Sequence, residues 1–260
     1  AAGDVQDLGS LGGSFTEPSA INDRAQVVGV SATNLFVEHA FLWHPGRGIQ
    51  DLGTLGSSAQ AASAANAINA RGDVAGWSQT ASGVSHAFLW RPRSGMLDLD
   101  PGNPRGSVAQ FINNRGQVSG TLTLSTGQVE AFLWDDDTGL QAIPEMTRVA
   151  RMIARGDLVW SVPTGGILWQ PDEGVTSLGA SVSPNGINDR VEVVGELQAG
   201  GGTTHAFVWQ ARRGVQDLGV LPGMTNSTAF AINPRGQIVG ASFNPSQPGF
   251  PLHAVLWNPS

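Results

Sequence analysis

One motif occurs six times along this chain, and the repeat limits the possible folds more than any other feature. Its first half reads Ala-Ile-Asn-x-Arg-Gly-x-Val-Val-Gly, and its second half reads His-Ala-Phe-Leu-Trp, a Pro/Gly turn and Ile-Gln-Asp-Leu-Gly. Copies of the first half lie at residues 20–29, 67–76, 111–120, 152–160, 186–195 and 231–240. Each copy contains four short β-type segments separated by turn residues, which is typical of one four-stranded blade of a β-propeller.

The two ends of the chain carry complementary halves of one repeat. The sixth copy stops after His-Ala-Val-Leu-Trp, and its missing segment stands at residues 4–9. The sequence therefore predicts an all-β, closed six-bladed β-propeller with four antiparallel strands per blade, in which the N-terminal strand completes the last blade. Residues 1–260 are expected to form one domain, with blades at about 19–53, 64–99, 108–143, 148–178, 184–218, and 228–260 together with 4–9.

Composition excludes several kinds of site. The 14 basic residues are all arginine and face 21 acidic ones, a net charge of −7, and the chain has no lysine, cysteine or tyrosine. Schiff-base lysines, thiol nucleophiles, cysteine-bound metals and tyrosine acids are thus excluded. The negative charge argues against nucleic acid as a partner. No apolar run approaches the length of a membrane span, so we expect no membrane insertion, and we expect a monomer without a cofactor.

The same motifs resemble the HAF repeats, a family of bacterial repeat proteins predicted to be extracellular. DLGSLGG at residues 7–13, DLGTLG at 51–56, the AIN-x-x-G-x-VVG segments and the HAFLW copies carry the resemblance, which covers nearly the whole chain. It implies a secreted or cell-surface bacterial protein. It implies no particular activity, so no catalytic residue is assigned from it.

The histidine of the HAFLW motif varies together with an aspartate in the fourth strand. Four repeats carry both residues and two carry neither; the predicted pairs are His39 with Asp51, His86 with Asp98, His205 with Asp217, and His253 with Asp7. If Trp43 pairs with Ile49, Asp51 lies opposite Phe41, with His39 as its diagonal neighbour on the same face. These pairs are interpreted as structural, with a metal or proton-relay role as the alternative, and no metal site is predicted.

Departures from the repeat provide the candidate binding residues. In a propeller the first strand runs beside the central channel, and the position two residues before its isoleucine is mostly polar and changes between repeats. The candidates there are Ser19, Asn66, Gln110, Arg151, Asn185 and Phe230, and the irregular connections entering the third and fourth repeats add Arg105, Glu145 and Arg148. A channel filled with water is the alternative. The turn arginine of each repeat predicts a cationic rim, or stems packed on a neighbouring blade.

A binding or scaffold module for a carbohydrate, a small molecule or a protein partner is the predicted function. The alternative is an enzyme, a lyase, hydrolase or cyclase, with one pocket at the channel mouth near the third and fourth blades. The sequence contains no GxSxG elbow, HExxH or P-loop motif, so it leaves open whether the protein is catalytic. The acidic run at 135–137 is interpreted as a solvated hairpin tip, with a Ca²⁺ site as the alternative.

Overall fold

The structure, a computed structural model, describes residues 6–143, 151–152, 156–170, 173–247, 249 and 252–258. These residues form six antiparallel sheets, numbered 1 to 6 in chain order, and no helix. Sheet 1 consists of β1 (Gly12–Ile21), β2 (Val27–Thr33), β3 (Glu38–His44) and β4 (Gly48–Asp51), and sheet 2 of β5 (Ser63–Ile68), β6 (Val74–Gln79), β7 (Ser85–Arg91) and β8 (Gly95–Asp98). Sheet 3 consists of β9 (Ser107–Ile112), β10 (Val118–Thr123), β11 (Val129–Asp135) and β12 (Gly139–Ile143), and sheet 4 of β13 (Arg151–Met152), β14 (Leu158–Val162), β15 (Gly165–Gln170) and β16 (Gly174–Gly179). Sheet 5 consists of β17 (Val182–Ile187), β18 (Val193–Gly200), β19 (Thr203–Gln210) and β20 (Gly214–Asp217), and sheet 6 of β21 (Asn226–Ile232), β22 (Ile238–Phe243) and β23 (Leu252–Trp257).

Within each sheet, strands that follow one another in the chain are hydrogen-bonded neighbours. The prediction of an all-β chain built from antiparallel sheets is confirmed, and one copy of the sequence repeat corresponds to one sheet. Sheet 6 differs from the prediction because it has three strands. Of the segment expected to be its fourth strand, Gln6 and Asp7 lie outside any strand, and residues 4 and 5 fall outside the described part of the chain.

The packing of the backbone divides the chain into two compact units, residues 1–147 and residues 148–260. In the first unit sheet 2 packs against sheet 1 and against sheet 3. In the second unit sheet 5 packs against sheet 4 and against sheet 6. The expectation of one domain over residues 1–260 stays a prediction.

Alternation along the HAFLW strand explains how neighbouring sheets pack. Ala40 and Leu42 of sheet 1 lie in one core cluster with Phe88 and Trp90 of sheet 2. Alanine and leucine of the motif therefore face the next sheet, and phenylalanine and tryptophan face the preceding one, because successive side chains of a strand point to opposite faces. A strand covered on both faces needs an apolar residue at every position, which accounts for the uninterrupted apolar run of the motif.

A β-bulge in the first strand explains the glycine at the end of Val-Val-Gly. In sheets 1, 2, 3, 5 and 6 the register shifts by one residue opposite this glycine. The bulge brings a carbonyl of the first strand so close that an added Cβ would overlap it; the glycines concerned are Gly29, Gly76, Gly120, Gly195 and Gly240. Sheet 4 has Trp160 at this position and pairs it with Ile167, where the other sheets have the HAFLW phenylalanine or its valine counterpart. In each of the five sheets whose described residues show this register shift, the residue opposite it is glycine.

Candidate functional site

The histidine and aspartate of the repeat are hydrogen-bonded in three sheets. Phe41 lies opposite Asp51, so the predicted register is confirmed, and His39 Nδ1 donates to Asp51 Oδ2 over 2.8 Å. The same 2.8 Å bond joins His86 to Asp98 and His205 to Asp217. Each aspartate also accepts a backbone N–H from the residue two positions later, at 2.7 to 3.0 Å. The carboxylate therefore anchors both the third strand and the turn that leaves the fourth.

His86 makes one bond more than the other two histidines. Its Nδ1 donates to Asp98, and its Nε2 donates to the carbonyl oxygen of Asn103 over 2.8 Å. A carboxylate and a carbonyl oxygen both accept, so this geometry favours the imidazolium, in which both ring nitrogens carry a hydrogen. Burial opposes this charge, but the bonds to Asp98 and Asn103 and the nearby charges of Asp98 and Asp100 outweigh it and raise the pKa of His86. His86 thereby fixes the irregular connection that enters sheet 3.

The fourth predicted pair, His253 with Asp7, stays a prediction. The Asp7 carboxylate accepts the Gly9 N–H at 2.9 Å, which is the same turn bond that Asp51 and Asp217 make. His253 lies exposed on β23.

The channel candidates of the sequence are the bulge residues of the first strands. The register shifts fall at Ser19, Asn66, Gln110, Asn185 and Phe230. Two of them bond to the next sheet, because Asn66 Nδ2 donates to the Ala109 carbonyl over 2.7 Å and Asn185 Nδ2 donates to the Ala229 carbonyl over 3.0 Å. The two asparagine amides thus hold neighbouring first strands together. Their role in binding a ligand stays a prediction.

The structure corrects the position assigned to Arg151. It lies opposite Val159, the place that Ala20 occupies opposite Val28 in sheet 1, and not at the bulge. Five residues separate Met152 from Leu158, as five separate Ile21 from Val27 in sheet 1, so the fourth copy has the full length and Met152 takes the place of the strand isoleucine. Counting back from Ile153 is therefore wrong by one residue. Two further candidates, Glu145 and Arg148, lie outside the described residues.

The turn asparagine of the repeat does more than form a turn. Asn69 Oδ1 accepts the backbone N–H groups of Arg71 and Asp73, at 2.9 and 3.0 Å. Its Nδ2 donates to Asp73 Oδ2 over 2.9 Å and to the Asn113 carbonyl of sheet 3 over 3.1 Å. Asn22 and Asn188 make the same bonds to the sheets that follow them. This inter-sheet ladder was missed by the sequence reasoning, although the spacing Asn-x-Arg-x-(Asp/Glu/Gln) was visible.

In sheets 2 and 3 two arginines form ion pairs with nearby carboxylates. Arg71 pairs with Asp73 at 2.9 Å, and Arg91 forms a two-pronged ion pair with Asp136 at 3.0 and 2.6 Å. Asp135 accepts three hydrogen bonds from Asp137 and Thr138, which outweigh burial and lower its pKa. The acidic hairpin is therefore held by internal contacts. The described residues contain no cluster of three histidine or acidic side chains suited to a metal.

One cavity lies beside the irregular connection between sheets 2 and 3. It measures about 410 Å³ and is lined by Arg105, Ser107, Thr121, Thr123 and several apolar groups. Arg105 is thus the one candidate from the connections that the structure places at a cavity. No carboxylate or imidazole lines it, so the described residues supply no acid–base pair there.

A second cavity, of about 480 Å³, lies between sheets 5 and 6 at the end where their turns meet. Four arginines line it: Arg190 and Arg235 from the turns after the two first strands, and Arg212 and Arg213 from the β19–β20 hairpin. Val208 and Ile232 contribute apolar surface. We call it the arginine cavity. Its volume falls within the range of small-molecule sites.

Glu192 is the acidic residue that lines the arginine cavity, and three neighbours hold it. Asn188 and Gln210 each donate a side-chain amide to it over 2.7 Å, and Arg190 Nε lies 3.5 Å from its Oε2. The Arg190 guanidinium also packs against Gly236 of sheet 6. Arg190 is therefore fixed and paired, whereas no described carboxylate forms an ion pair with Arg212, Arg213 or Arg235.

Comparison with known proteins supports the fold and assigns no family. No protein-family model matches the chain, and no curated protein matches it. A solved puromycin hydrolase mutant is similar in structure over 89% of this chain and 41% of its own, with a TM-score of 0.54 and 13% identity. TolB from Acinetobacter baumannii covers 84% of this chain and 60% of its own, with a TM-score of 0.45 and 12% identity. The chain thus spans less than two thirds of either protein, and at 13% identity the likeness to the hydrolase concerns the fold alone. The described residues include no helix with the length and hydrophobicity that a membrane crossing requires.

Proposed function

We propose that this chain is a β-propeller binding module that holds a carbohydrate or another small molecule in the arginine cavity. One observation carries the proposal. The repeated polar side chains bond to each other or to the next sheet, as His39 does with Asp51 and Asn69 with Asn113. In contrast, Arg212, Arg213 and Arg235 form no ion pair with a described carboxylate and line a cavity together. Groups engaged in the framework are not free to act on a ligand. Binding therefore falls to the positions that depart from the repeat.

Stoichiometry and turnover test this proposal. A panel of sugars, sugar acids, phosphates and carboxylates would be screened by thermal shift, followed by calorimetry and product analysis of each hit. A ligand specific for the folded state adds about 2.7 kcal/mol of stability at 100 times its dissociation constant. We expect one ligand per chain, released unchanged. Several equivalent sites per chain would point to the repeated inter-sheet positions, and conversion of the ligand would point to an enzyme.

We further propose that the six sheets are blades of one ring, closed by residues 4–9 beside β23. Exposure of sheet 6 supports this, because Val239 and Leu256 are 48% and 55% exposed, whereas the equivalent Val194 and Val208 of sheet 5 are 0% and 2% exposed. An apolar face of this kind is covered by the following blade elsewhere in the repeat.

A disulfide tests the closure. The test variant is Gln6→Cys with Leu256→Cys, two positions equivalent to Gln50 and Leu42, which lie opposite each other in sheet 1. The matched control is Leu42→Cys with Gln50→Cys. Directly opposed strand residues lie within disulfide reach, and the chain has no other cysteine. Closure predicts that both pairs oxidise within the monomer. Oxidation of the control pair alone would contradict it.

We also propose that the protein is a bacterial HAF-repeat protein located outside the cell or at its surface. The repeat motifs and their order support this assignment. Detection of the protein in the medium or on intact cells tests it, and recovery of the protein only from the cytosol would contradict it.

A further inference from the structure

Positive charge is concentrated in the arginine cavity of a chain whose net charge is −7. Four guanidinium groups and one carboxylate line it, and the carboxylate of Glu192, with its side chain 14% exposed, is already bonded to Asn188, Gln210 and Arg190. Three exposed arginines, Arg212, Arg213 and Arg235, remain without a carboxylate among the described residues. Like charges held close together repel one another, so this arrangement favours a ligand that brings negative charge.

Sheets 2 and 3 form the corresponding place in the first unit, and part of the charge is cancelled there. Arg91 at the end of β7 is paired with Asp136 of the next sheet, where sheet 5 has the neutral Gln210. The turns themselves match, since Arg71 is paired with Asp73 as Arg190 is with Glu192, and Gln237 of sheet 6 corresponds to Gln117 of sheet 3. The β19–β20 hairpin adds a second arginine, since Arg212 and Arg213 are adjacent. The arginine cavity thus differs from the corresponding place between sheets 2 and 3 in the adjacent arginine pair of its hairpin, Arg212 and Arg213, where sheet 2 has Arg93 and Ser94.

The chemistry of the lining determines the kind of ligand. A guanidinium donates two parallel hydrogen bonds to a carboxylate, phosphate or sulfate, and such charge-assisted bonds are stronger than neutral ones. The arginines come from three different turns, so they approach the cavity from more than one side. Val208 and Ile232 offer apolar contact between them, suited to the carbon skeleton of a small molecule. A single anionic group would leave other arginines unmatched.

We propose that the arginine cavity binds a small molecule carrying at least two anionic groups, carboxylates, phosphates or sulfates, through Arg212, Arg213 and Arg235. This deepens the proposed function and rests on it. Glu192 acts as a positioning residue, because it fixes Arg190 at the wall of the cavity.

Calorimetry on the whole chain tests the proposal at about 0.1 M salt, where charges more than about 10 Å apart are largely screened. The anionic probes are digalacturonate, pyrophosphate and a disulfated disaccharide. Digalactose is the neutral counterpart of digalacturonate. The test variant is Arg212→Gln with Arg213→Gln. The control variant is Arg47→Gln with Arg93→Gln, which removes the same charge from exposed arginines in the corresponding hairpins of sheets 1 and 2. The melting temperature of each variant verifies its fold.

We expect at least one anionic probe to bind one per chain, and the probe that binds identifies the anionic group. Binding should weaken at least about tenfold in the test variant, since a hydrogen bond to a charged group is worth about 1.5–3 kcal/mol, and less than about twofold in the control variant. Equal weakening in both variants, or no binding of any anionic probe, would overturn the inference. Digalactose binding as tightly as digalacturonate would overturn it as well and leave the proposed function standing. Conversion of a bound probe, with the arginine dependence intact, would instead overturn the proposed function.

Discussion

Replacing the strand glycine of sheet 5 with alanine tests the link between glycine and bulge. A Cβ at residue 195 would overlap the Ser183 carbonyl and meet the backbone of Pro184 and Asn185. The clash is relieved only if β17 moves, which costs about 1–3 kcal/mol for overpacking. Moving β17 also breaks the bond from Asn185 to the Ala229 carbonyl, which is worth about 1 kcal/mol. We expect Gly195→Ala to lower the free energy of unfolding by about 2–4 kcal/mol.

Gly186→Ala is the matched control in the same sheet. This glycine lies opposite Val194, where sheets 1, 2 and 6 have alanine, and an added Cβ would meet its neighbours at 3.3 to 3.4 Å. Urea unfolding followed by tryptophan fluorescence compares the two variants. Gly186→Ala should change stability by less than about 1 kcal/mol, because alanine in a strand offsets the slight crowding. If the two variants differ by less than about 0.5 kcal/mol, the bulge does not require the glycine and the reasoning is wrong.

Three further predictions concern the turns and the histidine. Asn69→Ala should lower the unfolding free energy by about 2–3 kcal/mol in urea unfolding, because Asn69 is 3% exposed and its side chain makes four hydrogen bonds. Asn233→Ala, at an exposed turn, should lower it by less than about 1 kcal/mol, and equal losses would contradict the inter-sheet ladder. Phe36→Gly should raise the unfolding free energy by about 0.5–1 kcal/mol, because Phe36 is 84% exposed and has a φ of 59° at a hairpin position where equivalent turns have glycine. A lower unfolding free energy in the variant would contradict this. The pKa of His86 is raised in the folded protein, so the stability that His86 adds relative to His86→Gln is fully present below about pH 6.5 and is lost as the pH rises through the raised pKa. Urea unfolding of both proteins at about pH 6 and about pH 9 measures this, and an equal difference in unfolding free energy at the two pH values would contradict it.

The sequence predicts the sheets well because each one is a local hairpin meander. The turns, the alternation of the HAFLW strand and the register of Phe41 opposite Asp51 all follow from neighbouring residues. The bulge is harder to predict from the sequence, because a regular strand with one face in water also has a polar residue before a packed alanine. Only the strand glycine, which stands in five of the six copies and reflects a steric requirement, could have indicated that Asn66 is a bulge residue.

The arginine cavity could not be located from the sequence for a different reason. Arg190 and Arg235 recur in every repeat, so the pattern alone treats them like the paired Arg71. Arg190 is in fact paired with a carboxylate of its own turn, as Arg71 is. What differs is the hairpin charge: Arg91 lies beside Asp136 of the next sheet, whereas Arg212 and Arg213 form no ion pair with a described carboxylate, and that depends on which hairpins lie side by side. The adjacent Arg212 and Arg213 were the one visible signal.

The pairing of Arg91 with Asp136 indicates why charge differs between equivalent positions. An exposed ion pair of this kind contributes about 0–1 kcal/mol, so stability alone gives little reason to keep the carboxylate or to lose it. Its larger effect is to neutralise a guanidinium that would otherwise attract anions. Arg212, Arg213 and Arg235 of the arginine cavity form no ion pair with a described carboxylate, so their like charges repel one another until a ligand supplies negative charge. A bound anion then relieves that repulsion in addition to forming its own hydrogen bonds, so occupancy of the cavity and stability of sheets 5 and 6 are coupled.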